Sequence, residues 1–231
     1  MKKFKKSYTL LILILALSMV LTACGGSDST PSNSDKTPAN EASTDSGNTD
    51  ATDEVVRHTN ADNKVVTLNG DLKALEGPVY LTSVGQSADV SMLDALMKKV
   101  GVEYTFNSTA KADDIKGSKT IIIASGASSK GLGAAGISAD EEKARAQEIL
   151  DFCKAEDITV IMAHLGGVAR RGELSDQFAD MVMDYSHGIL MVEDGNDDGK
   201  FSDFAENKNI PITLVNTIAD CMDPLKVMFG N

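Results

Sequence analysis

The sequence predicts an α/β fold: a doubly wound, mainly parallel sheet in a single domain, a three-layer sandwich of Rossmann-like or flavodoxin-like order. Three observations predict it. Runs such as Thr120 to Ile123 are β-branched and apolar on both faces, as strands inside a parallel sheet are. Amphipathic helical stretches alternate with these runs. The connections are short, and no internal repeat breaks the alternation.

Taken in order, Glu54 to Thr59 and Lys64 to Leu68 are β-like runs around Asn60 to Asn63 and predict a hairpin or spacer over 54–77. The α/β domain is expected over 78–231. Val79 to Thr82 is its first strand. Ala88 to Val100 follows as a helix with Val90, Leu93, Met97 and Val100 on one stripe and Gly101 at its C-cap. Glu103 to Phe106 predicts a second strand, Ala112 to Ile115 a helical turn, and Thr120 to Ile123 a third strand. That strand empties into a loop of small residues, Ser125 to Gly133, before the capping box Ser138-Ala-Asp-Glu141 opens a helix. Ile158 to Ala163, Gly188 to Val192 and Ile210 to Val215 complete the strands. Ser175 to Tyr185, Phe201 to Asn207 and Thr217 to Phe229 complete the helices.

The N-terminal stretch has another character. Lys2, Lys3, Lys5 and Lys6 precede an apolar run from Leu10 to Val20, too short for a span of about 20 residues. Leu21-Thr22-Ala23-Cys24 then places small residues before a cysteine. This reads as a secretion signal over 1–23, and it resembles the bacterial lipobox, which implies lipidation of Cys24. Palmitate and a membrane location in the cell envelope follow from that resemblance. Residues 24–53 are rich in Ser, Thr, Asp and Asn, and predict a disordered tether with a reach of roughly 30 Å.

The formal charge is −12, and the signal holds four lysines and no acid, so the remainder carries −16. Such a chain repels nucleic acid and anionic lipid headgroups. Membrane attachment therefore falls to the lipid. Cys153 and Cys221 both fall on predicted helices, where cysteines behave as small hydrophobes, although export permits a disulfide.

In an open α/β sheet, ligands bind beyond the carboxyl ends of the strands. The loops expected there carry Gly85, Gln86 and Ser87 after the first strand, and Ser129 and Lys130 after the third. They carry His164, Gly166, Gly167, Arg170 and Arg171 after the fourth, and Asp194, Asn196 and Asp198 after the fifth. The chain has only four arginines, and two are adjacent here. Cations converging at one edge of an acidic chain point to a small anionic ligand, or else to ion pairs with Glu173 or Asp176. His164 with a loop serine offers the alternative of a hydrolase. A third reading is an interaction module for a membrane transporter or another envelope protein.

Cofactors are not expected. Gly131-Leu-Gly133-Ala-Ala-Gly136 spells the dinucleotide fingerprint, but six residues separate it from the strand and no acidic partner follows at the right spacing. The pocket loops offer no aromatic to cover a flavin, and no G-K-[ST] is present. Asp194, Asn196 and Asp198 fill the first positions of a calcium loop, with Gly199 at the turn, but Ala205 stands where the bidentate acid belongs. The expectation is a turn, or at most a weak calcium site.

The runs LTSVGQSADVSMLDALMKKVGVEYT, SGASSKGLGAAG, HLGGVARRGELSDQFADMV and EDGNDDGKF resemble an exported bacterial family, domain of unknown function 6305. The likeness spans Val79 to Met228. It implies the α/β domain and an exported location, and it brings no activity, cofactor or catalytic residue.

The lipobox resemblance predicts that Cys24→Ala loses detergent-phase partitioning. A wild-type protein whose mass shows no diacylglyceryl adduct would refute it.

Overall fold

The computed structural model describes residues 56–230. The expected signal, the lipidation cysteine and the expected tether lie outside these residues. Among the described residues, no helix is long and apolar enough to cross a membrane.

The strands are β1 (Val65–Leu68), β2 (Val79–Val84), β3 (Thr105–Phe106), β4 (Thr120–Ser125), β5 (Thr159–His164), β6 (Gly188–Val192) and β7 (Ile212–Val215). They form one sheet of order β1-β7-β6-β5-β4-β2-β3. All neighbours pair in parallel except β1, which runs antiparallel to β7. Counting only the parallel strands, this is the flavodoxin-like order, which reverses direction between β2 and β4.

The helices are α1 (Asp89–Val100), α2 (Ser129–Ala135), α3 (Ala139–Ala155), α4 (Glu173–Met183), α5 (Lys200–Lys208) and α6 (Met222–Phe229). Alternate side chains of each strand face opposite layers. Ile121, Ile123, Val160, Met162, Ile189, Met191, Ile212 and Leu214 pack with Ile149 and Leu150 of α3, Phe178 and Val182 of α4, and Phe201 of α5. Leu81, Ile122, Ala124, Ile161, Ala163 and Leu190 pack with Leu93 and Met97 of α1 and Leu225 of α6. The sheet is therefore covered on both faces, which is why its central strands are uniformly apolar.

Three expectations change, and the expected buried thiols are present. The hairpin is one strand: residues 56–60 are irregular, and only Val65–Leu68 pairs, against β7. The small-residue loop after β4 is largely helix α2, opened by the Ser128 hydroxyl, which accepts from the Gly131 N–H at 3.0 Å. The closing helix is a 3-10 turn at Ile218–Cys221 followed by α6. Cys153 and Cys221 are free thiols in opposite layers, so no disulfide joins them.

The loops after β2 and β4 interlock. Gln86 holds a left-handed backbone, φ +56°, and bridges to Ala127. A Cβ on Gly131 would overlap the Gln86 carbonyl oxygen, so the first turn of α2 seats directly on the β2 loop. Beneath lies Glu142 of α3, fully buried. It accepts from the Gly85 N–H at 2.8 Å, Gln86 Nε2 at 3.1 Å, Arg145 Nε at 2.8 Å and Arg145 Nη2 at 2.7 Å. Arg145 also donates to the carbonyls of Ala110 and Ser83.

Removing one partner of such a pair strands a buried charge, which costs about 3–5 kcal/mol. Glu142→Ala is expected to lose at least about 3 kcal/mol in urea denaturation, and the Glu142→Ala/Arg145→Ala double variant less than the sum of the singles. Additive losses would show that the two side chains act separately.

Candidate functional site

The carboxyl ends of β2, β4, β5 and β6 bring the predicted residues to one edge of the sheet, where the buried carboxylates of Glu142 and Asp89 fasten Gly85, Gln86, Gly166 and Arg170. Ser87 is buried, and its hydroxyl accepts from the Asp89 N–H at 3.3 Å. Asp89, in the first turn of α1, is itself fully buried. It accepts from the N–H groups of Leu165 at 3.2 Å and Gly166 at 2.8 Å, and from Arg170 Nε at 3.4 Å. One carboxylate thus ties the β5 loop to the start of α1.

The two adjacent arginines have different fates. Arg171 is enclosed by its own chain. It donates to Asp176 at 2.9 and 3.2 Å, to Asp198 at 2.9 and 2.7 Å, and to the Gly195 carbonyl at 2.7 Å, and lies 5.2 Å above the Phe201 ring. The hydrogen bonds to Asp198 and Asp176 push the Arg171 guanidinium still further up from its ordinary value. In return, Arg171 holds the Asp198 carboxyl below the usual range. The expected ion pair with Asp176 is present, and Arg171 does not offer a fork to a ligand. Arg170 differs: only Nε meets Asp89, neither Nη atom has a hydrogen-bond partner among the described residues, and the side chain is 31% exposed. It lies beside Gly126, which in turn lies beside Ser87. Ser129 and Lys130 are exposed on the first turn of α2.

His164 ends β5 with no exposure. Its Nδ1 lies 3.0 Å from the Ser125 carbonyl, and since a carbonyl only accepts, Nδ1 carries the proton. Among the described residues, neither Nε2 nor the Ser125 hydroxyl has a partner. The ring stacks on Phe201 with centroids 5.3 Å apart. Burial holds the imidazole below its ordinary value, against the opposing pull of the Ser125 carbonyl and Asp89.

The acidic loop after β6 is a 3-10 turn, Glu193–Asn196. Asn196 Oδ1 accepts from the Phe201 N–H at 2.9 Å and the Ser202 N–H at 3.2 Å, which fastens the start of α5. Asp198 is turned to Arg171. Asn196 and Asp198 are thus committed to internal bonds rather than to a shared ion, and the described residues contain no group of three or more His, Cys, Asp or Glu arranged to hold a metal. Glu193 clamps the incoming chain: it accepts from the His58 N–H at 2.6 Å, the Thr59 N–H at 2.6 Å, the Thr59 hydroxyl at 2.5 Å and His58 Nδ1 at 3.0 Å. Burial alone would raise its carboxyl, but these bonds hold it below the usual range.

Sequence reasoning located this edge but passed over Glu142, Arg145, Glu193 and the anchoring role of Asp89. Glu142 and Arg145 stand three apart on a helix, a pattern indistinguishable from a solvated surface pair. Beside Gly166, Gly167 and Asp194 a groove of about 430 Å³ opens toward Asn216 to Ala219. Neither Arg170 nor Lys130 lines it.

The depressed His164 value carries a pH signature. A group whose folded value lies below its unfolded 6.5 contributes stability that is fully present above pH 6.5 and is lost as the pH falls through the folded value. Stability is expected to decline below pH 6.5, and His164→Gln to flatten that decline in melts taken over this window. An unchanged slope in the variant would place the titration elsewhere.

No curated protein matches the chain in sequence. Among solved structures, it is similar to a GDSL-like lipase from Bacteroides thetaiotaomicron at 13% identity, over 58% of this chain and 65% of that one, TM-score 0.27. It is similar to the psychrotrophic esterase EstA of Pseudoalteromonas sp. at 12% identity, over 66% and 98%, TM-score 0.32. The chain spans less than two thirds of the lipase's length. At these scores neither likeness bears on the function. The family described as Domain of unknown function (DUF6305) matches residues 76–229, and the chain belongs to that family.

Proposed function

We propose that this chain is a lipid-anchored, extracytoplasmic α/β domain that binds a small carboxylate- or phosphate-bearing molecule at the carboxyl edge of its sheet. The observation that carries the reading is Arg170. Asp89 holds its Nε at 3.4 Å, neither Nη atom has an acceptor among the described residues, and its Cβ lies near Gly126. Arg170 lies in the loop after β5, at the carboxyl edge of the sheet, where ligands of this architecture bind. A guanidinium already oriented by a buried carboxylate loses less freedom when it grips an anion. Lys130, exposed on the first turn of α2, adds positive charge to the same edge.

The hydrolase alternative needs a serine hydroxyl bonded to His164. The imidazole is fully buried, and its Nε2, the nitrogen left once Nδ1 donates to the Ser125 carbonyl, meets no serine hydroxyl among the described residues, so the geometry favours binding over acyl transfer. The envelope-partner alternative needs an apolar patch. Val168, 60% exposed on the β5 loop, is a single side chain and not a patch.

The test is a thermal-shift screen of small carboxylates and phosphates on the wild type, Arg170→Ala and Arg171→Ala. A stabilising anion is expected, with affinity falling tenfold or more in Arg170→Ala. Arg171→Ala is expected to lower the melting temperature while retaining the shift. A hit indifferent to Arg170, or no hit in a broad screen, would refute the reading.

A further inference from the structure

His164 has no exposure, and its ring is confined on several sides. Nδ1 donates to the Ser125 carbonyl at 3.0 Å, and the ring stacks on Phe201. Cδ2 lies 3.1 Å from where a Cβ on Gly195 would stand. Nε2 has no acceptor among the described residues. A neutral imidazole leaves only a lone pair unpaired there. An imidazolium would leave a charged donor sealed from water, which costs far more.

The charges around the ring are already committed. Asp89 at the start of α1 receives Leu165, Gly166 and Arg170. Arg171 of the β5 loop holds Asp176 of α4 and Asp198 before α5. Glu193 of the β6 loop receives His58 and Thr59, and Lys200 of α5 is turned to Asp180 of α4. Asp194 Oδ1, packed at Gly167, makes no hydrogen bond to Nε2. Asp89 and the Gly167 backbone favour a charged ring and Arg171 opposes it, but burial outweighs them in favour of the neutral form.

The residues that follow His164 carry the anion edge. The N–H groups of Leu165 and Gly166 bond to Asp89, which holds Arg170 Nε, and Gly167–Arg170 form the 3-10 turn. On the other side, Phe201 lies under the His164 ring and also 5.2 Å from Arg171, which ties the loop to Asp176 and Asp198. A ring that leaves Phe201 to bring Nε2 to water therefore disturbs both fastenings of the loop.

We propose that His164 is a proton-operated latch: protonation at Nε2 drives the ring from its enclosure, frees the Gly167–Arg170 turn and releases an anion held at Arg170. The release of the anion rests on the proposed site at Arg170, and the movement of the loop does not. The proton comes from solvent as the pH falls. With the loop closed, His164 takes it up below 6.5, and with the loop open near 6.5, so the closed loop is complete above pH 6.5 and is lost below it. Asp176, Asp198 and Glu193 are held below the usual carboxylate range and stay charged through this window.

The experiment uses the full chain at about pH 7.5 and about pH 5, on either side of the ordinary histidine value. Hydrogen exchange, corrected for the intrinsic effect of pH, reads the Leu165 and Gly166 amides. Calorimetry reads affinity for sulfate, an oxyanion of constant charge over this window. In the acid the amides are expected to lose protection tenfold or more, and sulfate to bind at least tenfold more weakly. His164→Gln is expected to level both differences, and His58→Gln, the other histidine at this edge, to behave as the wild type. If His164→Gln opens the loop at both pH values, NMR of the three histidines decides. Amide opening must then share its midpoint with the His164 ring, below 6.5, and a separate midpoint overturns the latch. Amides equally protected at both pH values, or lost alike in wild type and His164→Gln with the acid, also overturn it. Sulfate binding that ignores pH while the amides open overturns the coupling to the anion. No sulfate binding at neutral pH counts against the Arg170 site alone, and the amides still decide the latch.

Discussion

Glu142 has no exposure, and it accepts hydrogen bonds from a loop amide, a glutamine side chain and a guanidinium. The β2 loop depends on this carboxylate, because Gly85 and Gln86 turn with positive φ and leave the Gly85 N–H pointing away from any strand partner. A buried N–H without an acceptor is costly. Glu142 supplies the acceptor from a helix in another part of the chain, and Arg145 supplies the charge that makes a buried carboxylate tolerable. Once the β2 loop is set, α2 rests on the Gln86 carbonyl, and the loops after β2 and β4 lock together in one defined way.

The same device recurs along the edge. Asp89 gathers Leu165, Gly166 and Arg170, and Glu193 gathers His58 and Thr59. Each carboxylate sits at or just beyond a strand or helix end, where backbone N–H groups lack partners. Fixing loops by internal charge costs little flexibility in the strands below, and it leaves the edge stiff before any ligand arrives. Preorganisation of this kind lowers the entropic cost of binding.

The alternation of elements was readable in the sequence because it rests on local period: β-branched runs, amphipathic stripes and a capping box at Ser138. Strand order was not, since nothing local tells β2 that its neighbours are β3 and β4. The stretch from Ser125 to Gly133 was misread as loop because Gly131 and Gly133 weaken helix propensity, which close seating on Gln86 overrides. The edge itself was legible, because loops after parallel strands must share it. The partners of Arg171 were legible only in part. Asp176 is five residues away and was weighed, whereas Asp198 arrives from the next loop through tertiary packing.

The scarcity of arginine in this acidic chain has a different meaning in the folded protein than in the sequence. A surplus of carboxylates does not call for cations at the surface, where water solvates acids well. It calls for them where a carboxylate must leave water. Arg145 stands at such a place, against fully buried Glu142, while Arg171 stands against half-buried Asp176 and exposed Asp198. Arg57 approaches Glu193 at 3.9 Å. Arg170 stands against fully buried Asp89, yet gives it only one nitrogen at 3.4 Å. Its weak engagement follows from Leu165 and Gly166, whose amides already satisfy the other oxygen of Asp89. Backbone donors relieve the arginine of part of its structural duty, and its terminal nitrogens are what remain for a ligand. In the same physical terms Asp194 is the converse case, an acid whose Oδ1 no donor among the described residues reaches. The edge thus sorts its charges into those that hold the fold and the few left over, and the leftover charges are where binding has to be sought.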